Sequence, residues 1–544
     1  MTTNIAPAPS GRLVLAHVWV AFLLFGVALL LGVYQVLARD GVLGSHAASY
    51  YASTTLHGVV MGYALTIFFI TGIGYAISER ALGTRVWAPG LAWLCFWVML
   101  AGTVLAALSI LAGKASVLYT FYPPQMAHWS FYVGAALLVA GSIGWIVITL
   151  VMSAQWKGAH RGQNLPLAQF GMSICALVWA WTMVGVVLEV LLQLIPLAFG
   201  LTQSIDVNLA RALFAWTLHP IVYFWLIPTY VFLYTIVPEE AGGYLFSDEM
   251  ARVAFVMLLI FGLPIGMHHL YMDPPHSAGF KLLQGIGTFL VVIPTMLTGF
   301  TVWASLEISG RLRGGTGLFG WMRRLKWDDP VVLAGVMALF MLILGGFGGL
   351  VNAAYAQNAM VHNTQWVTAH FHYIFGGVAV TGYFGLAYYF WPRLTGRALW
   401  APKLALAQIW LWIIGMNILS LPWHYVGLLG MPRRIAYYAY APEIAAQWLP
   451  WTGIMIIGGV LLCLSGWLLL LILFLSGRTL PASSATMAGG FARPYEATAV
   501  LPRSLNGFAL WNWLLLALMA MAWGYPIVQF FLVKQYPALP WGFS

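Results

Sequence analysis

The sequence predicts an all-α integral membrane protein, a bundle of about thirteen transmembrane helices with a cytoplasmic N-terminus. Three observations predict it. Of 544 residues, 62% are hydrophobic and only 7% charged, whereas soluble domains carry about 25% charged residues. A chain so poor in charge cannot cover a soluble surface, so lipid bilayer is its natural solvent. Apolar runs near the ~20-residue spanning length recur along the whole chain, and 27 Trp with 25 Tyr supply interfacial belts.

Taken in order, the runs centre near residues 26, 64, 100, 140, 184, 224, 260, 293, 341, 378, 414, 462 and 520. The first follows the short polar lead MTTNIAPAPSGR, and no A-x-A-like cleavage site follows it, so it reads as an uncleaved helix. The longest polar stretches, 309–329 and 477–507, read as loops. The other connections are mostly short, so 1–544 reads as one transmembrane domain. With the N-terminus inside, the 24 Lys and Arg divide 17 inside to 7 outside, Lys534 among the latter. That asymmetry sets the orientation. The formal charge of +10 is not a nucleic-acid signal, because the basic residues sit in short loops between apolar runs. Cys95, Cys175 and Cys463 lie apart inside apolar runs, which excludes a C-x-x-C-H haem attachment, a disulfide framework and a cysteine-based copper centre.

Four of these spans carry histidine near their outer ends: His57 in the second, His219 in the sixth, His268 and His269 in the seventh, His370 and His372 in the tenth. Each lies roughly 5–10 residues from the outer end, on the order of 10 Å deep at 1.5 Å per residue. A lone intramembrane histidine ordinarily hydrogen-bonds a neighbouring helix, but six at one depth point to metal, for which imidazole is a common ligand. His370 and His372 are about 200° apart around a helix, so they face different cofactors. His268 and His269 can share one metal if the helix is locally distorted. His219 would complete a three-nitrogen site with an open position, the arrangement of a reactive metal. Tyr223 follows His219 by four residues on the same face.

The segments WTLHPIVYFWLIPTY, MHHLYMDPP, TAHFHYIFGG and GLLGMPRR together resemble subunit I of haem–copper oxygen reductases, over a stretch from the first span to at least Arg434. Thirteen spans, YTFYPPQMAH and the lack of an acid in LHPIVY resemble the B-type branch, cytochrome c oxidases with a hydroxylated-isoprenoid haem. The resemblance implies that His57 and His372 hold a low-spin haem of b type, His370 a high-spin haem of a type, and His219, His268 and His269 the copper Cu-B. It implies that Tyr223 is cross-linked to His219 and supplies a proton and the fourth electron when the O–O bond breaks. Arg433, Arg434 and His362 would serve the haem propionates. The activity implied is reduction of O₂ to water coupled to proton pumping, in a prokaryotic plasma (inner) membrane. Electrons would come from cytochrome c through a Cu-A-bearing subunit II.

Protons must then reach the site from inside. Tyr223, Tyr230 and Tyr234 share one face of the sixth span, and Thr288, Thr295, Thr298 and Thr301 repeat along the eighth. These stripes resemble the single proton channel of B-type enzymes; the alternative is helix–helix packing. Ile221 stands where A-type oxidases carry a glutamate, so their second proton path is in doubt. Glu189, deep in the fifth span, serves either a proton route or packing. Asn358, near His362, stands where relatives would carry an acid. Three competitors are weighed against this reading. A nitric oxide reductase would place iron and glutamates at the copper site, against which Tyr223 argues. A proton-coupled secondary transporter predicts broken helices and inverted repeats, and no internal repeat is present. A haem-based gas sensor would need an output domain, for which there is no sequence.

Overall fold

A computed structural model describes residues 10–44, 46–273, 276–436 and 440–528. The N-terminal lead before Ser10, Pro274 and Pro275 of the MHHLYMDPP segment, and Lys534 lie outside the described residues. Thirteen helices are long and apolar enough to cross a membrane: α1 Gly11–Arg39, α2 Ala47–Leu82, α3 Pro89–Leu111, α4 Trp129–Ala159, α5 Leu167–Ala198, α6 Val207–Glu240, α7 Asp248–Leu270, α8 Ala278–Leu312, α9 Pro330–Ala353, α10 Gln365–Thr395, α11 Pro402–Leu428, α12 Leu449–Ser476 and α13 Ala509–Val528. The count and centres agree with the apolar runs. No strand occurs among the described residues.

Local chemistry fixes where several helices begin. Asp206 accepts from the backbone N–H groups of Asn208 and Leu209, starting α6. Asp329 does the same for Val331 and Val332 before α9, with Pro330 in the first turn. Ser247, Ser277 and Thr364 cap α7, α8 and α10. Each cap satisfies backbone donors that a helix start leaves orphaned. Small residues bring helices into backbone contact: a Cβ on Gly102 of α3 would stand 2.5 Å from the carbonyl oxygen of Gly134 in α4.

One expected loop is shorter than its polar sequence suggested. α8 runs on to Leu312, because Ser309 donates back to the Ser305 carbonyl at 2.9 Å and Arg311 pairs with Glu307 one turn earlier. The rest of that stretch holds a 3-10 turn, Gly320–Arg324. On the inner face, the fully buried Arg252 grips Asp248 at 2.7 Å and the Leu165 carbonyl at 2.6 Å, which ties the start of α7 to the loop after α4. Trp523 of α13 stacks on Trp216 of α6 at 5.4 Å.

Burial locates the centre of the bundle. The membrane windows of α2, α6 and α10 are 100%, 94% and 94% buried, against about half for α1, α4, α11 and α12. These three innermost helices carry His57, His219, His370 and His372. Three helices change pitch to π geometry inside the membrane: α2 at Val60–Leu65, α5 at Val190–Leu194 and α10 at Tyr373–Val380.

Candidate metal centre

The six histidines line one cavity of about 980 Å³ at the core of the bundle. Three of them converge. One ring nitrogen from each of His219, His268 and His269 lies within 4.8 Å of the others. The local distortion that two adjacent histidines require is present. The regular helix of α7 stops at Gly262, Pro264 cannot continue it, and a tight 3-10 turn over Met267–Leu270 carries both rings, 4.2 Å apart, toward His219. Gly266 permits this, since any side chain there would collide with the Ala215 carbonyl of α6.

Each ring of the trio keeps a nitrogen for a metal. His219 Nε2 faces the Tyr223 hydroxyl at 2.8 Å, which leaves Nδ1. The Thr288 hydroxyl donates to the Gln284 carbonyl at 2.7 Å and so accepts from His268 Nδ1 at 3.2 Å, leaving His268 Nε2 as the lone-pair nitrogen. His269 Nε2 is buried with no protein partner. Among the described residues no carboxylate joins this cluster.

The remaining three histidines are oriented in a common way. Nδ1 of His57 lies 2.8 Å from the Ala28 carbonyl, that of His370 2.9 Å from the Gly345 carbonyl, and that of His372 2.8 Å from the Thr368 carbonyl. A carbonyl only accepts, so each Nδ1 carries the hydrogen and each Nε2 presents a lone pair. These donors fit axial ligation of haem iron. α10 also separates its pair as its phase requires. His372 packs on Trp423 at 4.8 Å and lies within electrostatic reach of His57, while His370 lies within reach of His219 and His268.

Above this layer, Arg433 and Arg434 line the outer end of the cavity. Arg433 Nη2 donates to Asn363 Oδ1 at 2.9 Å, but its Nε is buried with no protein partner. Burial, then the neighbouring Arg434, push its guanidinium down to about 9. A half-buried cation with an unpartnered, buried Nε fits an anionic group in the cavity. Arg434 lies 5.4 Å over the Tyr119 ring. His362 Nδ1 sits 3.1 Å from Asn358 Oδ1, and burial, then Arg433, hold this imidazole down to about 4. Asn358 has a physical reason to be an amide: its NH₂ donates to the Asn352 carbonyl at 2.7 Å and the His268 carbonyl at 3.4 Å. A carboxylate there would face two acceptors.

The two polar stripes meet. Tyr234 donates to Thr298 Oγ1 at 2.7 Å, and Tyr230 lies beside Thr295. Thr288, Thr295, Thr298 and Thr301 each donate to the carbonyl one turn back on α8, at 2.7–2.9 Å. With that hydrogen committed, each oxygen is left as an acceptor, Thr298 toward Tyr234 of α6 and Thr288 toward His268 of α7. Two residues that sequence reasoning missed continue the stripe inward: Ser305 and Ser309, both fully buried. The spacing of four after Thr301 was the available signal. Glu189 is fully buried with both oxygens unpartnered, at the start of the α5 π segment and outside the cavity lining. A seventh histidine at this depth, His424, was also missed; it lies four residues before the end of α11.

A buried helical bundle with histidines layered in this way defines the class of haem–copper oxidase catalytic subunits. Residues 12–461 match the family described as Cytochrome C and Quinol oxidase polypeptide I, and the chain belongs to that family. It is 38% identical over 539 residues to cytochrome c oxidase subunit 1 of Thermus thermophilus, covering 96% of this chain and 95% of that one. It is 28% identical over 409 residues to the subunit 1 of Thermostichus vulcanus, covering 72% and 70%. A chain from the cryo-EM structure of a heme-copper terminal oxidase dimer matches with a TM-score of 0.92 and 33% identity, over 100% of this chain and 96% of that one. The protein is the oxygen-reducing catalytic subunit of a terminal oxidase, a multi-span membrane protein of a family that binds haem and copper.

Proposed function

We propose that His219, His268 and His269 hold Cu-B, that His370 holds the high-spin haem facing it, and that His57 with His372 holds the low-spin haem. The observation that carries this reading is the three-histidine cluster with Tyr223 on His219 and, among the described residues, no carboxylate beside it. Iron and copper, when bound, supply the electrons and the binding site at which oxygen is reduced to water. The chain's own residues orient and deliver. Backbone carbonyls fix the haem-ligand tautomers, Arg433 and Arg434 neutralise the propionates beside His362, and Tyr223 holds a proton 2.8 Å from His219 Nε2. That approach also suits the covalent link between the two rings.

The stripe from Tyr223 through Tyr230–Thr295 and Tyr234–Thr298 to Thr301 delivers protons from the inner side and couples turnover to pumping. Thr298→Val keeps the shape and removes the acceptor of Tyr234. Losing one buried hydrogen bond costs about 1–3 kcal/mol, so proton uptake should slow on the order of tenfold or more. Single-turnover absorption of the fully reduced enzyme checks this, and unchanged proton-coupled phases would reduce the stripe to packing.

The thirteen spans, Ile221 and the two joined polar stripes support a B-type enzyme of the prokaryotic plasma membrane, N-terminus inside, with a b-type low-spin and an a-type high-spin haem. Electrons enter from cytochrome c through a Cu-A-bearing subunit II seated on the outer face, nearest Arg433 and Arg434. A reduced-minus-oxidised spectrum with metal counts tests the assignment on the purified complex. Two haems, and copper beyond that of Cu-A, are expected; non-haem iron without that copper would make it a nitric oxide reductase instead.

A further inference from the structure

α9 enters the centre of the bundle as LGGFGGL, residues 344–350. Its glycines bring backbone against His370: the Gly345 carbonyl accepts from His370 Nδ1, and a Cβ on Gly349 would stand 3.2 Å from His370 Cε1. Gly348 faces two histidines at once. A Cβ there would stand 3.0 Å from His370 Nδ1 and 3.2 Å from His424 Nε2. The two nitrogens thus border the same small gap, and His424 lies within electrostatic reach of His370.

The ring of His424 is not free to turn. Its Nδ1 is 2.9 Å from the Ser420 carbonyl, so Nδ1 carries the hydrogen and Nε2 presents the lone pair. Tyr373 stacks on it at 5.4 Å and 23°, and Trp366 meets it edge-on at 4.6 Å. Tyr373 is itself anchored, its hydroxyl donating to Asn417 Oδ1 at 2.9 Å. A fixed lone pair therefore borders the same gap as the Nδ1 of the residue assigned to the high-spin haem. Acceptors on the far nitrogen of a ligating imidazole raise its basicity, and such hydrogen bonding sets haem potential.

We propose that His424 is a positioning residue for the high-spin haem, its lone pair facing the Nδ1 side of His370 across the Gly348 gap, where its negative end strengthens electron donation from His370 to the iron and lowers the haem's reduction potential. The proposal rests on the reading of His370 as that haem's ligand. In the assembled oxidase, His424→Phe keeps a flat ring and removes Nε2, while His424→Gln keeps an acceptor. The readouts are the iron–histidine stretch of the reduced high-spin haem by resonance Raman and each haem's midpoint potential by redox titration. His424→Phe should lower the stretching frequency and raise the high-spin potential, His424→Gln should restore part of both, and the low-spin haem should not move. An unchanged stretch and potential in His424→Phe would overturn the proposal, as would equal shifts in both haems. A shift confined to the low-spin haem would instead overturn the assignment of His370. If His424→Phe does not assemble with haem, Gly348→Ala, which wedges a methyl group between the two rings, must move the same stretch, or the proposal fails.

Discussion

Tyr223→Phe is expected to abolish oxygen turnover while both haems and the copper stay bound. The variant removes one oxygen atom from a buried position, 5% exposed, and leaves the ring that packs against Gly262 of α7. What it loses is the hydroxyl, and the proton it holds, whose oxygen lies 2.8 Å from His219 Nε2. Loss of a positioned proton donor costs about 10²- to 10⁴-fold in rate, and loss of the electron proposed to come from the same phenol should carry the defect to the upper end of that range. Steady-state oxygen consumption gives the rate, and the low-spin band of the reduced spectrum is the control for assembly. Normal turnover with an intact spectrum would remove the tyrosine from the reaction.

The second large effect is spectroscopic. His372→Ala should lose the low-spin haem alone, because its Nε2 is one of the two lone pairs assigned to that iron, while the trio and the His370 ring lie on the opposite side of α10. Electron entry should fail with it, so the variant should hold one haem and copper and be inactive with reduced cytochrome c. A preparation that instead loses the high-spin signal would reverse the assignment of His370 and His372.

Much of this was legible in the chain because it depends on local arithmetic. Span count follows from apolar run length, and the histidine layer from counting residues to a helix end. The opposed directions of His370 and His372 follow from helical phase. What escaped depends on residues far apart. The turn carrying His268 and His269 exists because Gly266 can press on Ala215, fifty-one positions earlier. Asn358 is explained by the carbonyls of Asn352 and His268, not by its own neighbours. His424 gave no motif, and its meaning comes from Gly348 and Tyr373 on other helices. Polar composition misplaced the end of α8 because Ser309 spends its hydroxyl on the helix's own backbone, which sequence polarity does not reveal.

The π segments of α2 and α10 begin three residues after His57 and one after His372. A π turn absorbs one residue more than an α turn, an angular step of about 100° on an ordinary helix. The outer part of each helix, which aims a histidine, is thereby uncoupled from the inner part, which packs against its neighbours. Insertions or deletions during evolution could be taken up in these stretches without turning a ligand away from its metal. Deleting one residue within Tyr373–Val380 should therefore disturb ligation less than deleting one within Gln365–Ala369, where the change would rotate His370 and His372 relative to the capped start of the helix.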